Sequence, residues 1–229
     1  MKQTLVAKGV NRLLNALPRG ERARVVALCE RVDVVQGQVL CEAGKRFEYA
    51  YFPLTAIVAL LAHADGRQFL EMGTIGNEGM LGATLVLGID TAPLRSVAQG
   101  AGTALRVPVD ELVALLERSV PLRRALSRYL YVQTEQLAQI AACTHFHEIR
   151  PRLARWLLMT HDRAHSNRFH FTHVSLAEML GVQRSAVTIA AGLLQSRALI
   201  HYARGDITIL SRAGLLAASC SCYLAITKK

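Results

Sequence analysis

Hydrophobic and polar positions change rhythm three times along the 229 residues. The chain opens with two amphipathic stretches, about Val10 to Leu17 and Glu21 to Cys29, where apolar residues such as Leu13, Leu14 and Leu17 alternate with Lys8 and Arg12 at helical spacing. From Val32 to Val107 short apolar runs are separated by Gly, Pro and Asp about every ten residues, an all-β rhythm. Turn signals at Gln36-Gly37, Ala43-Gly44-Lys45, Asp65-Gly66 and Gln99-Gly100 bound predicted strands at Val39 to Glu42, Ile57 to His63, Gln68 to Met72 and Thr103 to Val107. A small barrel or roll would close such a set.

After Asp110 the period becomes helical. Ser119 is placed to cap a new helix and Pro121 fits its first turn, so a long helix is predicted to run to about His145. Within it Leu126, Leu130, Gln133, Leu137, Ile140 and Thr144 are spaced alternately by four and three, the seam of two coiled helices. A helix packed on its own domain shows the same period; with two polar members the seam is weak for either role, and dimerisation is the favoured reading. His147 to Lys229 then reads as a helix (Ile149 to His165), a short strand (Phe169 to Phe171), two helices in quick succession, a hairpin and a last helix. The class is α+β, in three parts: residues 1–118, 119–146 and 147–229.

Composition narrows the function. With 52% apolar residues in 25.1 kDa the chain is no disordered tail. Aromatics are 6% with one Trp, so the core is aliphatic. The longest uncharged apolar run, Leu54 to Ala62, is far short of the roughly 20 residues of a bilayer-crossing helix. No secretory leader is recognisable, and the five scattered cysteines, Cys29, Cys41, Cys143, Cys220 and Cys222, suit a reducing compartment. A cytoplasmic protein without a membrane partner is expected. The charge points to an anionic partner. Residues 1–145 hold 16 basic and 13 acidic side chains and residues 146–229 hold 11 and 4, so the shorter C-terminal part carries +7 of the +10.

The most specific signal lies between Thr172 and Ala190. Ala177 is small where two helices would cross, and Gly181, four residues on, can take the positive φ of a tight turn, with Val187 six further. Leu176, Leu180, Val182, Val187 and Ala190 form a shared core, Thr172 can cap the first helix, and Ser175 with Glu178 offers an overlapping capping box. This is the spacing of a DNA-binding helix-turn-helix, though a helical hairpin of another kind could match part of it. Leu199 to Tyr202 and Ile207 to Leu210 around Arg204-Gly205-Asp206 add a wing, whose Arg204 can touch phosphate or simply be solvated.

Together these pieces resemble the Crp/Fnr transcriptional regulators over nearly the whole chain. The likeness is carried by Asn11-Arg12-Leu13-Leu14-Asn15-Ala16-Leu17-Pro18, Tyr51-Phe52-Pro53, Ile75-Gly76-Asn77-Glu78-Gly79-Met80-Leu81-Gly82, and Leu176 to Leu194. It implies an N-terminal, jelly-roll-like double-stranded β-roll that senses an effector, a long dimerisation helix, and a C-terminal winged helix-turn-helix. The implied partners are double-stranded DNA with a palindromic operator, a second copy of the chain, and RNA polymerase. The second helix, about Gln183 to Ser196, would enter the major groove. Arg184 matches the family's base-reading arginine, whereas Ser185 and Ile189 stand where Glu and a second Arg often lie, which implies a different operator. Gln183, Ser185 and Thr188 are further candidates for base or phosphate contacts, each equally consistent with solvent exposure. Thr172 and His173 can offer amides and a side chain to phosphate.

The same resemblance assigns an effector site. Gly76, Glu78, Gly79, Arg95 and Ser96 are similar to the Gly-Glu turn and Arg-Ser pair of members that bind cyclic nucleotides. The stretch from Glu78 to Arg95 is longer than in the cyclic-AMP receptor protein, Asn77 is an extra residue, and Leu137 and Ala138 fall where hydroxyls would meet adenine. A cyclic nucleotide, another small ligand, and no ligand all stay open. Iron–sulfur members carry a close Cys cluster near the N-terminus, where this chain has only Cys29 and Cys41, so no such cluster is expected. Cys143 and His147 lie four apart on one helix face with His145 between, and Cys220 and Cys222 form a close pair; either group supplies two ligands, which do not make a metal site. Two other classes fit the sequence less well. A cupin-like metalloenzyme needs a His-x-His and acidic cluster on strands, but His145-Phe146-His147-Glu148 ends a helix. A regulatory module that binds no DNA leaves the +7 balance unexplained. No nucleophile elbow, phosphate loop or paired catalytic carboxylates is found, so no enzyme is predicted.

Overall fold

The computed structural model describes residues 9–63, 69–164 and 166–227. Lys8, the Asp65-Gly66 turn signal, Gln68, His165 and the final Lys229 lie outside the described residues. The chain divides into two compact units, Met1–Leu60 with Thr74–Gln133, and Leu61–Gly73 with Thr134–Lys229.

The first unit holds α1 (Arg12–Asn15), α2 (Arg19–Ala27), β1 (Glu30–Val34), β2 (Val39–Cys41), β3 (Tyr49–Pro53), most of β4 (Ile57–His63), the end of β5 (Phe69–Ile75), β6 (Arg95–Gly100), β7 (Gly102–Pro108), α3 (Val109–Arg118) and the first half of α4 (Val120–Phe146). Its strands form two sheets, ordered β1-β7-β3 and β2-β6-β4-β5. Phe52, Ile75, Met80, Leu112, Leu122 and Leu126 are fully buried between sheets and helices. Ser119 interrupts the helical run as its sequence position suggests, its Oγ accepting from the Leu122 amide at 3.2 Å. Strands β1, β3 and β6 have no counterpart among the predicted strands. The reason is local: β1 carries three charged residues in five, β6 has a single β-branched residue, and four of the five positions of β3 are buried, so its side chains do not alternate in polarity.

Asn11 explains why the first helix docks where it does. Its side chain caps the Leu14 amide (3.0 Å) and donates from Nδ2 to the carbonyls of Pro53 (3.0 Å) and Gly79 (2.8 Å), with only 2% of the residue exposed. The Arg12 amide donates to the carbonyl of the additional Asn77 at 2.6 Å, so that residue helps to seat α1.

The second unit holds α5 (Ile149–Ala164), β8 (Arg168–His170), α6 (His173–Leu180), α7 (Arg184–Ser196), β9 (Ile200–Ala203), β10 (Asp206–Ile209), α8 (Arg212–Ala218) and α9 (Cys222–Thr227). The strands are ordered β8-β10-β9 and both pairings are antiparallel. Every residue of α5 from Arg152 to Thr160 is buried, so α5 is the centre around which α6 to α9 pack. The expected single last helix is two: Ser219 takes an extended conformation and ends α8 before α9 begins. Asp162 of α5 accepts from Arg212 (2.8 Å) and from the Tyr223 hydroxyl (2.6 Å), which pins α8 and α9 to α5. Burial would raise the Asp162 carboxyl, but Arg212 and Tyr223 outweigh it and hold the group below its ordinary range. Among the described residues no helix is long and apolar enough to cross a membrane.

Replacing Asn11 with Ala should destabilise the first unit by about 2 to 4 kcal/mol, because a cap is lost and two buried carbonyls lose their donor. Asn15→Ala, at an exposed site bonded only to Arg22, should cost under about 0.5 kcal/mol. Urea denaturation followed by far-ultraviolet circular dichroism distinguishes the two.

Candidate nucleic-acid interface

The α6–α7 pair is built by its caps. Thr172 accepts the Ser175 amide at 3.1 Å and starts α6 at His173; Ser175 therefore lies in the first turn, its hydroxyl donating back to the Thr172 carbonyl at 2.9 Å. Gly181 ends α6 in the left-handed region at φ 62°. From behind, the buried Arg152 guanidinium of α5 donates to the Leu180 carbonyl. After Val182 and Gln183 the chain enters α7.

Helix α7 is divided lengthwise. Val187, Ala190, Ala191 and Leu194 are buried against the core of the unit, while Arg184, Ser185, Thr188, Ile189, Gly192 and Leu193 face solvent. Gln183 sits at the N-cap with no side-chain cap bond and is exposed. Arg184, at the first helical position, forms no ion pair with a described carboxylate. Large apolar side chains rarely lie this bare: Ile189 is 65% exposed and Leu193 42%.

The structure brings most of the predicted residues together around the start of α7. His173 reaches across from α6, its Nδ1 2.9 Å from Thr188 Oγ1, and its ring stacks on Tyr202 of β9 with centroids 4.4 Å apart. The Thr188 hydroxyl donates to the Arg184 carbonyl at 3.1 Å, so it accepts from His173 Nδ1–H. That leaves the buried Nε2 unprotonated and, among the described residues, without a hydrogen-bond partner. Burial depresses the His173 imidazole below its ordinary range, and Arg184 lowers it further. The hydroxyl of Thr188 is thus committed within the motif. Arg204 stands apart on the β9–β10 turn, exposed, with φ 52°, followed by Gly205 at φ 92°. Two successive positive φ values make the two-residue hairpin whose twist suits the flanking strands. Tyr202, which also donates its hydroxyl to the Phe171 carbonyl (2.9 Å), and the bare Ile189 were not singled out by sequence as site residues; the exposure of Ile189 follows from its place four residues after Ser185 on one helical face.

Residues 151–218 match the family model of the Crp-like helix-turn-helix domain. The fold of the chain is that of solved Crp/Fnr structures. A Crp/Fnr-family transcriptional regulator from Eubacterium rectale superposes with a TM-score of 0.70 at 15% identity, covering 90% of this chain and 97% of that one. The c-di-GMP responsive global regulator CLP of Xanthomonas campestris gives 0.69 at 16% identity, with 85% and 100% covered. A CRP/FNR-family regulator from Thermus thermophilus gives 0.67 at 20% identity, with 83% and 98% covered. No curated protein matches the sequence. In this chain the Crp-like domain sits in the more basic part of the sequence and presents Gln183, Arg184 and Ser185 at the start of its second helix.

The other two predicted groups are placed as follows. Glu78 accepts the Gly76 amide at 3.2 Å, Arg95 pairs with Glu42 at 3.0 Å, and Ser96, 1% exposed, has an Oγ without a hydrogen-bond partner among the described residues. The ring of Tyr129 lies directly on Gly79, where a Cβ would overlap it. Of the proposed seam, Leu126 is 0% exposed in the core of the first unit and Ile140 5% exposed in the core of the second. Both side chains pack within the chain. Leu130 is partly buried against the first core, Gln133 and Thr144 are half-buried, and Leu137 is 39% exposed.

The neutral form of His173 is the one the fold favours. Its contribution to stability is present above the free imidazole value of about 6.5 and is lost as pH falls below it. A nuclear magnetic resonance titration should place His173 below that value, and Arg184→Ala should move it upward without restoring it fully, since burial is the larger cause.

Proposed function

We propose that the protein is a homodimeric, sequence-specific DNA-binding transcriptional regulator. The reading rests on one observation above the others: the start of α7 presents Arg184 without an ion pair to any described carboxylate, on an exposed face flanked by a wing, within a Crp-like domain of the basic part of the chain. In this reading α7 enters the major groove. Arg184 donates two bonds to guanine O6 and N7, Gln183 and Ser185 reach adjacent edges or phosphates, and Ile189 meets a thymine methyl. Thr172, His173 and Arg204 face the phosphates on either side.

Two copies would pair along α4 through its exposed positions, Leu137 among them, so that their reading helices meet successive major grooves about 34 to 36 Å apart on a palindrome. Residues 1–118 sense an effector, residues 119–146 pair the subunits and residues 147–229 read DNA and meet RNA polymerase, in the cytoplasm. A ligand at Gly76, Glu78, Gly79, Arg95 and Ser96 has to displace the Tyr129 ring and compete with Glu42 for Arg95. It acts only through different affinities for two arrangements of the dimer.

Fluorescence titration against genomic fragments is expected to select a palindromic site, with log affinity falling against log salt by about 0.9 per phosphate neutralised. Arg184→Ala should remove about 1 to 3 kcal/mol of discrimination, about 5- to 150-fold, and leave weak nonspecific binding. Unchanged specificity in that variant would show that α7 is not the reading helix.

A further inference from the structure

The four side chains that sequence analysis saw as two separate pairs converge on one point of the second unit. Cys143 lies near the end of α4, and His147 follows one turn later, its amide still donating to the Cys143 carbonyl at 3.1 Å. Cys220 and Cys222 flank the start of α9. The Cys143 and Cys220 sulfurs are 3.5 Å apart, Cys222 Sγ is 3.5 Å from His147 Nδ1, and all four ligand atoms lie within 4.8 Å of one another. Among the described residues no other group of His, Cys, Asp or Glu gathers in this way.

Three features give this cluster the character of a coordination site. The first is size. A tetrahedral ion with bonds of about 2.3 Å to sulfur and about 2.0 Å to nitrogen places its ligand atoms about 3.5 to 3.8 Å apart. Two pairs already stand at that separation, and the rest require a contraction of about 1 Å or less. An iron–sulfur cluster interposes several atoms between its thiolates and needs a wider cage. The second feature is charge. Arg152 and Arg155 are buried on the adjoining α5, 6% and 5% exposed; among the described residues the Nε of each has no hydrogen-bond partner and neither pairs with a carboxylate. Thiolates at Cys143 and Cys220 would be attracted to both. Three thiolates on a divalent ion leave one negative charge, which would offset half of the positive charge of the two guanidiniums; three neutral thiols would offset none of it. The third is support. Gln139, one turn before Cys143, directs its Nε2 to Cys222 Sγ at 3.0 Å, and Tyr223, next to Cys222, is anchored to Asp162.

We infer that Cys143, His147, Cys220 and Cys222 form a structural Cys3His site for a divalent, thiophilic metal ion of the zinc type, which clips the end of α4 to the C-terminal segment. Binding forms three metal–sulfur bonds and one metal–nitrogen bond and releases the thiol protons to solvent. The inference is independent of the DNA-binding reading.

The test uses the reduced, metal-free full chain and Co2+ alone as the probe. One Co2+ per chain is expected, with the intense visible bands of tetrahedral cobalt and a thiolate charge-transfer band, all removed by Zn2+. Cys220→Ser and Cys222→Ser should each abolish these bands, whereas a Cys29→Ser/Cys41→Ser double variant should keep them. X-ray absorption on the Zn2+-loaded wild type needs no variant and should give three sulfurs at about 2.3 Å and one nitrogen at about 2.0 Å. Absence of stoichiometric binding by the reduced chain, a coordination shell without sulfur, bands that survive loss of Cys220 and Cys222, or a reduced chain that yields only a Cys143–Cys220 disulfide in air and takes up no metal would each overturn it.

Discussion

In the proposed reading a helix that enters a groove must be bare on one side and immobile on the other, and the second unit meets both conditions at α7. The immobile side is supplied by α5. From Arg152 to Thr160 the helix is covered on every side, so α7 packs on a support that is itself fixed. Leu157 and Leu158 are fully buried, and removing such a side chain typically costs about 2 to 5 kcal/mol. The small residues of α7, Ala190 and Ala191, let it approach closely while Val187 and Leu194 fill the space. Its opposite face can then carry residues chosen for contact, because none is needed for packing.

Polar groups in the same unit are placed where they stiffen that arrangement. Arg152 is costly to bury, yet it closes the C-terminal end of α6 at Leu180, beside the turn that sets the angle between α6 and α7. His173, Thr188 and Tyr202 connect α6, α7 and the wing through one hydrogen bond and one ring stack. Because His173 is held neutral, it adds no charge repulsion beside Arg184. The wing turn is fixed by backbone alone: Arg204 accepts a left-handed conformation because Gly205 follows it in the same region, and the guanidinium is thereby carried outward.

Sequence reading succeeded where function depends on local chemistry. The cap at Thr172, the positive φ of Gly181, the break at Ser119 and the Arg204-Gly205 hairpin are each decided by residues within a few positions, and each is legible from them. It failed where the deciding partner is distant. Strand β6 is polar because its neighbours, not its own composition, bury it, and β3 is too buried to alternate. Heptad spacing on α4 records only that a helix has an apolar side; that the cores of the chain cover Leu126 and Ile140 depends on residues elsewhere. Cys143 and Cys220 are 77 positions apart, and nothing in their own neighbourhoods foretells that their sulfurs meet.

In the effector region proposed for the first unit, Arg95 is already paired with Glu42. The Arg95–Glu42 pair is partly exposed, and such pairs contribute no more than about 1 kcal/mol, so an anionic ligand could take Arg95 at small cost. Tyr129 is a different obstacle. Its ring occupies the space above Gly79, and moving it exposes aromatic surface and opens a gap beside a residue that has no side chain with which to refill it. A ligand that fills the gap recovers the contact, whereas one that binds elsewhere on the roll does not disturb it. Tyr129 belongs to α4, so a ligand that displaces the ring acts directly on a residue of the long helix. Coupling between the roll and the helix therefore requires no extended chain of contacts: it can pass through the single ring that a bound molecule and Gly79 cannot share.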